Sequence, residues 1–187
     1  SDSRNSIFSC LLVFRIPFQM MYSLFPTPVF HENHKHLCDR FNSSQNDFKI
    51  VSDTLLDKGF ELIKRMGLKT DYNNLKIKDI WLETFKEYSN QEYHVHYNSL
   101  VSGFLFLEVG KDTSFPIFCD PRSNTLLYKD INELENKDEV SAMSERVNIK
   151  PQQGDLIIFP SYLPHMFTVQ KNNNILRFIH FNLHDKL

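Results

Sequence analysis

The chain of 187 residues is little longer than one typical domain of roughly 150, so a single domain with at most a terminal appendage is expected. A hydrophobic content of 41%, with 17 Phe and 7 Tyr, provides for a sizeable core and excludes a disordered chain. With 21 basic against 23 acidic side chains, the net charge of -2 offers no electrostatic footprint for nucleic-acid phosphates or an anionic membrane. Neither is an expected partner.

In chain order, the apolar stretch Ile7 to Met21 is broken by Arg15, Pro17 and Gln19 and is too short to span a bilayer. Residues 1–20 are read as a peripheral arm or non-native extension, ahead of one domain over 21–187. The cluster His31, His34 and His36 opens a weak helical pattern over 33–42, and its spacing does not converge on one face. A stronger helix follows. Ser52 or Asp53 is placed to cap it, Leu55, Leu56, Phe60, Leu62, Ile63 and Met66 recur at helical spacing, and Gly67 marks its stop. Cys10, Cys38 and Cys119 form no CxxC or CxH spacing, which argues against a disulfide scaffold or zinc finger and favours a reducing compartment.

From about residue 75 the apolar period changes from helical to alternating. Strands are predicted at Lys76 to Phe85, Tyr93 to Tyr97, Leu100 to Val109, Pro116 to Cys119, Val147 to Lys150, Asp155 to Phe159, His165 to Gln170 and Ile175 to Asn182. The expected class is mostly β (α+β): two antiparallel sheets of jelly-roll type, with the N-terminal helices packed on one of them. The charged span Lys129 to Glu145 reads as a long loop, either a lid or an insertion.

Chemistry is suggested by the histidines. His94 and His96, one residue apart, would leave the same face of a strand and converge on one metal ion. If the last two strands pair as a hairpin about Asn172, His165 and Arg177 share a face, roughly 7 Å apart along the strand. A metal on His94, His96 and His165 would then stand one five-carbon dicarboxylate away from a guanidinium suited to bidentate carboxylate binding. The competing reading of Arg177 is an ion pair with Asp155 or Glu145, or exposure to solvent.

The ordered set His94-x-His96, Ser99-Leu-Val-Ser-Gly-Phe-Leu-Phe106, Phe118-Cys-Asp-Pro-Arg122, Gly154 to His165 and Leu176-Arg-Phe-Ile-His-Phe-Asn182 resembles the Fe(II)- and 2-oxoglutarate-dependent oxygenases. More narrowly, it is similar to the 2OG-Fe(II) oxygenases of marine bacteria and their phages, as is the opening Leu24-Phe-Pro-Thr-Pro-Val29. The resemblance implies a double-stranded β-helix with Fe(II), 2-oxoglutarate and O2 as cofactors. It places the metal on His94, His96 and His165 and the distal carboxylate on Arg177, with Ser102 and Asn182 as further cofactor-binding residues.

Two positions depart from the family pattern. His96 stands where the middle ligand is usually a carboxylate, and Ile179 where a Ser or Thr often follows the Arg. Asp120 is a substitute carboxylate unless it only opens the turn before Pro121. Tyr93, Tyr97, Asn98 and Phe104 are candidate walls of the substrate pocket, with core packing as the alternative for the aromatics. Trp81 reads as core, and His180 and His184 as structural or exposed.

The implied activity is a dioxygenase that hydroxylates a C–H bond of a peptide side chain, prolyl included, or of a small molecule, with release of succinate and CO2. The alternative is a non-catalytic or three-histidine cupin-like metal-binding domain that takes no 2-oxoglutarate. Localisation in the cytoplasm of a bacterium or phage-infected cell is expected. Oligomeric state stays open, a homodimer included.

Overall fold

The apolar stripe Phe48, Val51, Leu55, Leu62 and Ile63 winds up as one helix, α1 (Asn46–Arg65), in the computed structural model, which describes residues 7–16, 46–122 and 144–185. The predicted helix over 33–42, the His31, His34 and His36 cluster, Cys38 and most of the charged loop lie outside the described residues. The helix begins ahead of the predicted cap because Phe48 and Val51 extend its buried stripe. Ser52 is therefore buried within the helix, and Asp53 takes an ion pair from Lys49 at 2.8 Å. The C-terminal stop is as predicted. Gly67 adopts φ 75°, its N–H donates to the Lys64 carbonyl and that of Leu68 to Ile63, a Schellman closure that glycine enters without a Cβ penalty.

All eight predicted strands occur, with ends displaced by a few residues. They are β2 (Leu75–Phe85), β3 (Gln91–His94), β4 (Val101–Val109), β5 (Pro116–Cys119), β6 (Arg146–Asn148), β7 (Asp155–Pro160), β8 (His165–Phe167) and β9 (Leu176–Asp185). One further strand, β1 (Leu12–Arg15), lies within residues 1–20, read from the sequence as a peripheral arm or non-native extension; it pairs Leu12 with Ile158 of β7, and Phe8, Leu12 and Ile16 are buried. A five-stranded sheet in the order β1-β7-β4-β9-β2 packs against a four-stranded sheet in the order β3-β8-β5-β6, and every pairing is antiparallel.

Alternation along the central strands separates two cores. Leu105, Leu156, Ile158, Ile179, Phe181 and Leu183 meet α1 on one face of the larger sheet. Phe104, Phe106, Phe159 and Phe178 project from its other face to meet Phe118 and Phe167 of the smaller sheet. Where α1 crosses β9, a Cβ at Gly59 would come within 2.2 Å of a Leu183 methyl, so only glycine allows this approach.

One predicted pairing is absent. β8 and β9 do not form a hairpin: β8 lies between β3 and β5 in the smaller sheet and β9 between β4 and β2 in the larger. The link between them crosses layers and is held by buried Gln170, which accepts from the Ser114 N–H at 2.6 Å and donates to Asn172 Oδ1 at 2.9 Å. The expectation that His165 and Arg177 share a face fails with that hairpin.

Candidate metal centre

His94 ends β3 and His165 begins β8, and the two are register partners in the smaller sheet. His96 lies beyond the strand, in the turn leading to β4, where its backbone N–H donates to the Ser161 carbonyl at 2.9 Å. A turn residue thus completes what the sequence pattern assigned to a strand face. One ligand atom from each of His94, His96 and His165 lies within 4.8 Å of the others, and His96 Nε2 is 3.2 Å from His165 Nε2.

Backbone carbonyls set the tautomers. His94 Nδ1 bonds the Glu92 carbonyl at 2.6 Å and His165 Nδ1 that of Leu163 at 3.0 Å. Each Nδ1 therefore carries the proton, and each Nε2 presents a lone pair, as metal-ligating imidazoles require. Burial lowers the His165 pKa to about 3 and the His96 pKa to about 4, so both rings are neutral near pH 7. Neutral imidazoles with converging lone pairs fit a divalent first-row metal. Among the described residues no carboxylate joins this group. An iron(II) ion here would keep its full double positive charge, one unit more than beside the usual carboxylate.

The surroundings are dry and aromatic. His165 is fully buried against Phe104, Phe118 and Phe159, with ring centroids at 5.6, 5.9 and 4.7 Å. Phe104, predicted as a pocket wall, is the floor beneath the histidines. Trp81, predicted as core, lies 6.5 Å from His96 and donates its indole N–H to Glu83. Ser102 and Asn182 also face inward: the Ser102 hydroxyl donates to Asn182 Oδ1 at 2.6 Å and lies 2.8 Å from Ser161 Oγ, all three residues being buried. Tyr93 and Tyr97 are exposed instead, at 58% and 80%. Tyr97 and Asn98 border an open cleft of ≈ 700 Å³ together with His96, Arg65 and Tyr162.

Two expectations are corrected. Arg177 does not reach the histidines. On β9 its neighbours Leu176 and Phe178 point into the sandwich, so Arg177 points to the opposite face, where Nη1 bonds Glu108 Oε2 at 2.8 Å. A bulge between Phe106 and Glu108 brings that carboxylate round to meet it. Asp120 is no ligand either. Its side chain is bound by Arg122, and Oδ1 accepts the Arg122 backbone N–H at 2.8 Å, the turn-opening use.

His180, read from the sequence as structural or exposed, is brought beside the three histidines. It shares its face of β9 with Phe178 and Asn182, is fully buried, and stands 4.6 Å from His96 and 4.1 Å from Trp81 by ring centroids. Neither of its ring nitrogens has a hydrogen-bond partner. The strand parity that hid Arg177 was the signal that would have found it. His184 lies half-buried near the end of β9.

Fold and site together define a jelly-roll protein with a cluster of three imidazoles able to hold a metal ion. Residues 79–182 match the family model described as "Putative 2OG-Fe(II) oxygenase", more than half of the chain, and the chain belongs to that family. Fe(II), 2-oxoglutarate and O2 are the family's cofactors.

No curated protein sequence matches the chain. Solved structures similar in fold include the viral collagen prolyl hydroxylase of Paramecium bursaria Chlorella virus-1 in complex with 2OG, at 11% identity and TM-score 0.57 over 95% of this chain and 96% of that one. HygX of Streptomyces hygroscopicus with nickel and 2-oxoglutarate bound matches at 8% and 0.53, over 100% and 87%. A 2OG-Fe(II) oxygenase family oxidoreductase of Burkholderia pseudomallei matches at 10% and 0.52, over 76% of this chain and 60% of that one. At these identities the likeness is one of fold.

Proposed function

We propose that this chain is an Fe(II)- and 2-oxoglutarate-dependent dioxygenase that hydroxylates a C–H bond of a peptide side chain, prolyl residues included, or of a small molecule. The observation that carries the reading is the convergence of three imidazoles, one ring nitrogen of each within 4.8 Å of the others, inside a family-typical fold. Iron with 2-oxoglutarate and O2 supplies the oxidising power, releasing succinate and CO2. The chain's own residues do the rest. His94, His96 and His165 hold the metal, the Glu92 and Leu163 carbonyls fix the outer two rings, and Phe104, Phe118 and Phe159 keep water from its inner side. The exposed rings of Tyr93, Tyr97 and Tyr162 sit on the segments that carry the ligands, a rim that suits an extended peptide.

The alternative, a metal-binding jelly roll that takes no keto acid, draws support from one observation: Arg177 is engaged with Glu108 on the far face. Turnover separates the two. Protein loaded anaerobically with Fe(II), then given 2-oxoglutarate and O2, is expected to form succinate well above the His165→Ala variant even without a primary substrate. Iron retention with no succinate supports the alternative, and retention of no iron eliminates both.

A further inference from the structure

Arg177 pairs with Glu108 on the helix-side face of the larger sheet, leaving the inner face without the cation expected to hold 2-oxoglutarate. On that inner face stands His180, fully buried with both ring nitrogens unpartnered. Leaving a buried polar atom unpaired is costly, and an apolar ring of the same shape would avoid that cost. Packing does not account for a histidine here: Trp81 and Phe104, 4.1 and 4.7 Å away, would hold a phenyl ring as well. A polar partner supplied from outside the chain would account for it.

The position narrows that partner. His180 lies 4.6 Å from His96 and 6.4 Å from His165 by ring centroids, yet is outside the trio whose ligand atoms gather within 4.8 Å. Beside the trio but outside it, His180 is placed to donate an imidazole N–H to a molecule held on the metal instead of binding the metal itself. His180 is itself fully buried among aromatic rings, and a hydrogen bond in such a low-dielectric setting is strengthened.

Resting on the dioxygenase reading, we propose that His180 is the positioning residue for the keto acid: its ring N–H donates to a carboxylate oxygen of 2-oxoglutarate bound at the three-histidine centre. The anchor of the anion is then a neutral donor on β9, in place of a guanidinium.

The test uses the full-length protein, with Co(II) as the metal and 2-oxoglutarate as the ligand, each titrated separately. His180→Phe is expected to keep Co(II) affinity within about twofold while weakening 2-oxoglutarate binding about tenfold or more. His180→Gln, which restores an N–H donor, is expected to recover part of that loss. Without metal, His180→Phe should melt no lower than the parent, since an unpaired buried group has been exchanged for an apolar one. Unchanged 2-oxoglutarate affinity in His180→Phe overturns the proposal while leaving the dioxygenase reading intact. A loss of Co(II) as large as in His165→Ala overturns it by making His180 a ligand. Parent protein that holds Co(II) but no 2-oxoglutarate removes the dioxygenase reading, and the proposal with it.

Discussion

At the scale of single residues, the decisive contrast is between two neighbours on β9. Arg177 is an ion pair closed by Glu108, with side-chain exposures of 15% and 46%, so its removal should cost only the modest amount of a partly exposed bridge. Arg177→Gln is accordingly expected to change the affinity for 2-oxoglutarate less than twofold and stability by under about 1 kcal/mol, checked by ligand titration and urea denaturation. A tenfold loss of keto-acid affinity would show that the guanidinium turns inward to the ligand after all. The sequence places Arg177 on the face of His165 only through a hairpin that does not form, and the alternative, an ion pair, is realised with a different carboxylate. That carboxylate, Glu108, reaches Arg177 only through a bulge that no alternation pattern contains. His180 reads as structural or exposed because it has no partner at ligand spacing in the sequence; the rings that surround it, Trp81, His96 and Phe104, come from other segments.

At the scale of elements, most of the fold was legible because strand and helix periods are local properties. α1, its Gly67 stop and eight strands follow from apolar spacing alone. Partnership was not legible. A short polar stretch between two strands suggests a hairpin, yet Asn172, Asn173 and Asn174 lie in a crossing between layers, held by contacts with Lys111, Asp112 and Gln170 that are distant in sequence or internal to the loop. Placement of α1 on the sheet depends on Gly59. An alanine there would gain about 1 kcal/mol of helix propensity but would press on a Leu183 side chain that is fully buried, and overpacking costs about 1–3 kcal/mol. Gly59→Ala is therefore expected to destabilise by about 1 kcal/mol in chemical denaturation. An increase in stability would mean that the helix–sheet contact yields without strain.

At the scale of the molecule, the buried histidines tie stability to pH. The pKa of His165 falls to about 3 and that of His96 to about 4, from an ordinary 6.5, and burial lowers that of His180 as well. Above 6.5 both the folded and unfolded chains leave these rings neutral, and no penalty arises. Below 6.5 the unfolded chain takes up protons that the folded one refuses, so metal-free protein should lose stability progressively between about pH 6.5 and about pH 3. Thermal melts across that range check this, and a variant with His165→Phe should show a shallower slope. A bound metal needs the same rings neutral, so loading should raise the melting temperature at neutral pH and lose that effect as the pH falls through about 4, where His96 takes up a proton.

The contact between Gly59 and Leu183 reaches further than the helix it seats. Leu183 lies three positions along β9 from His180, whereas two of the three metal-binding rings belong to strands of the other layer. If His180 anchors the keto acid, a small displacement of β9 alters the gap between that anchor and an ion on the three histidines. It also reaches His96, because the Leu183 carbonyl accepts the Leu100 N–H and the Leu100 and Ser161 carbonyls carry the chain of bonds on to His96. Substitutions on the helix-covered side of the sheet, remote from every reacting atom, would on that proposal tune how tightly the small diacid is gripped.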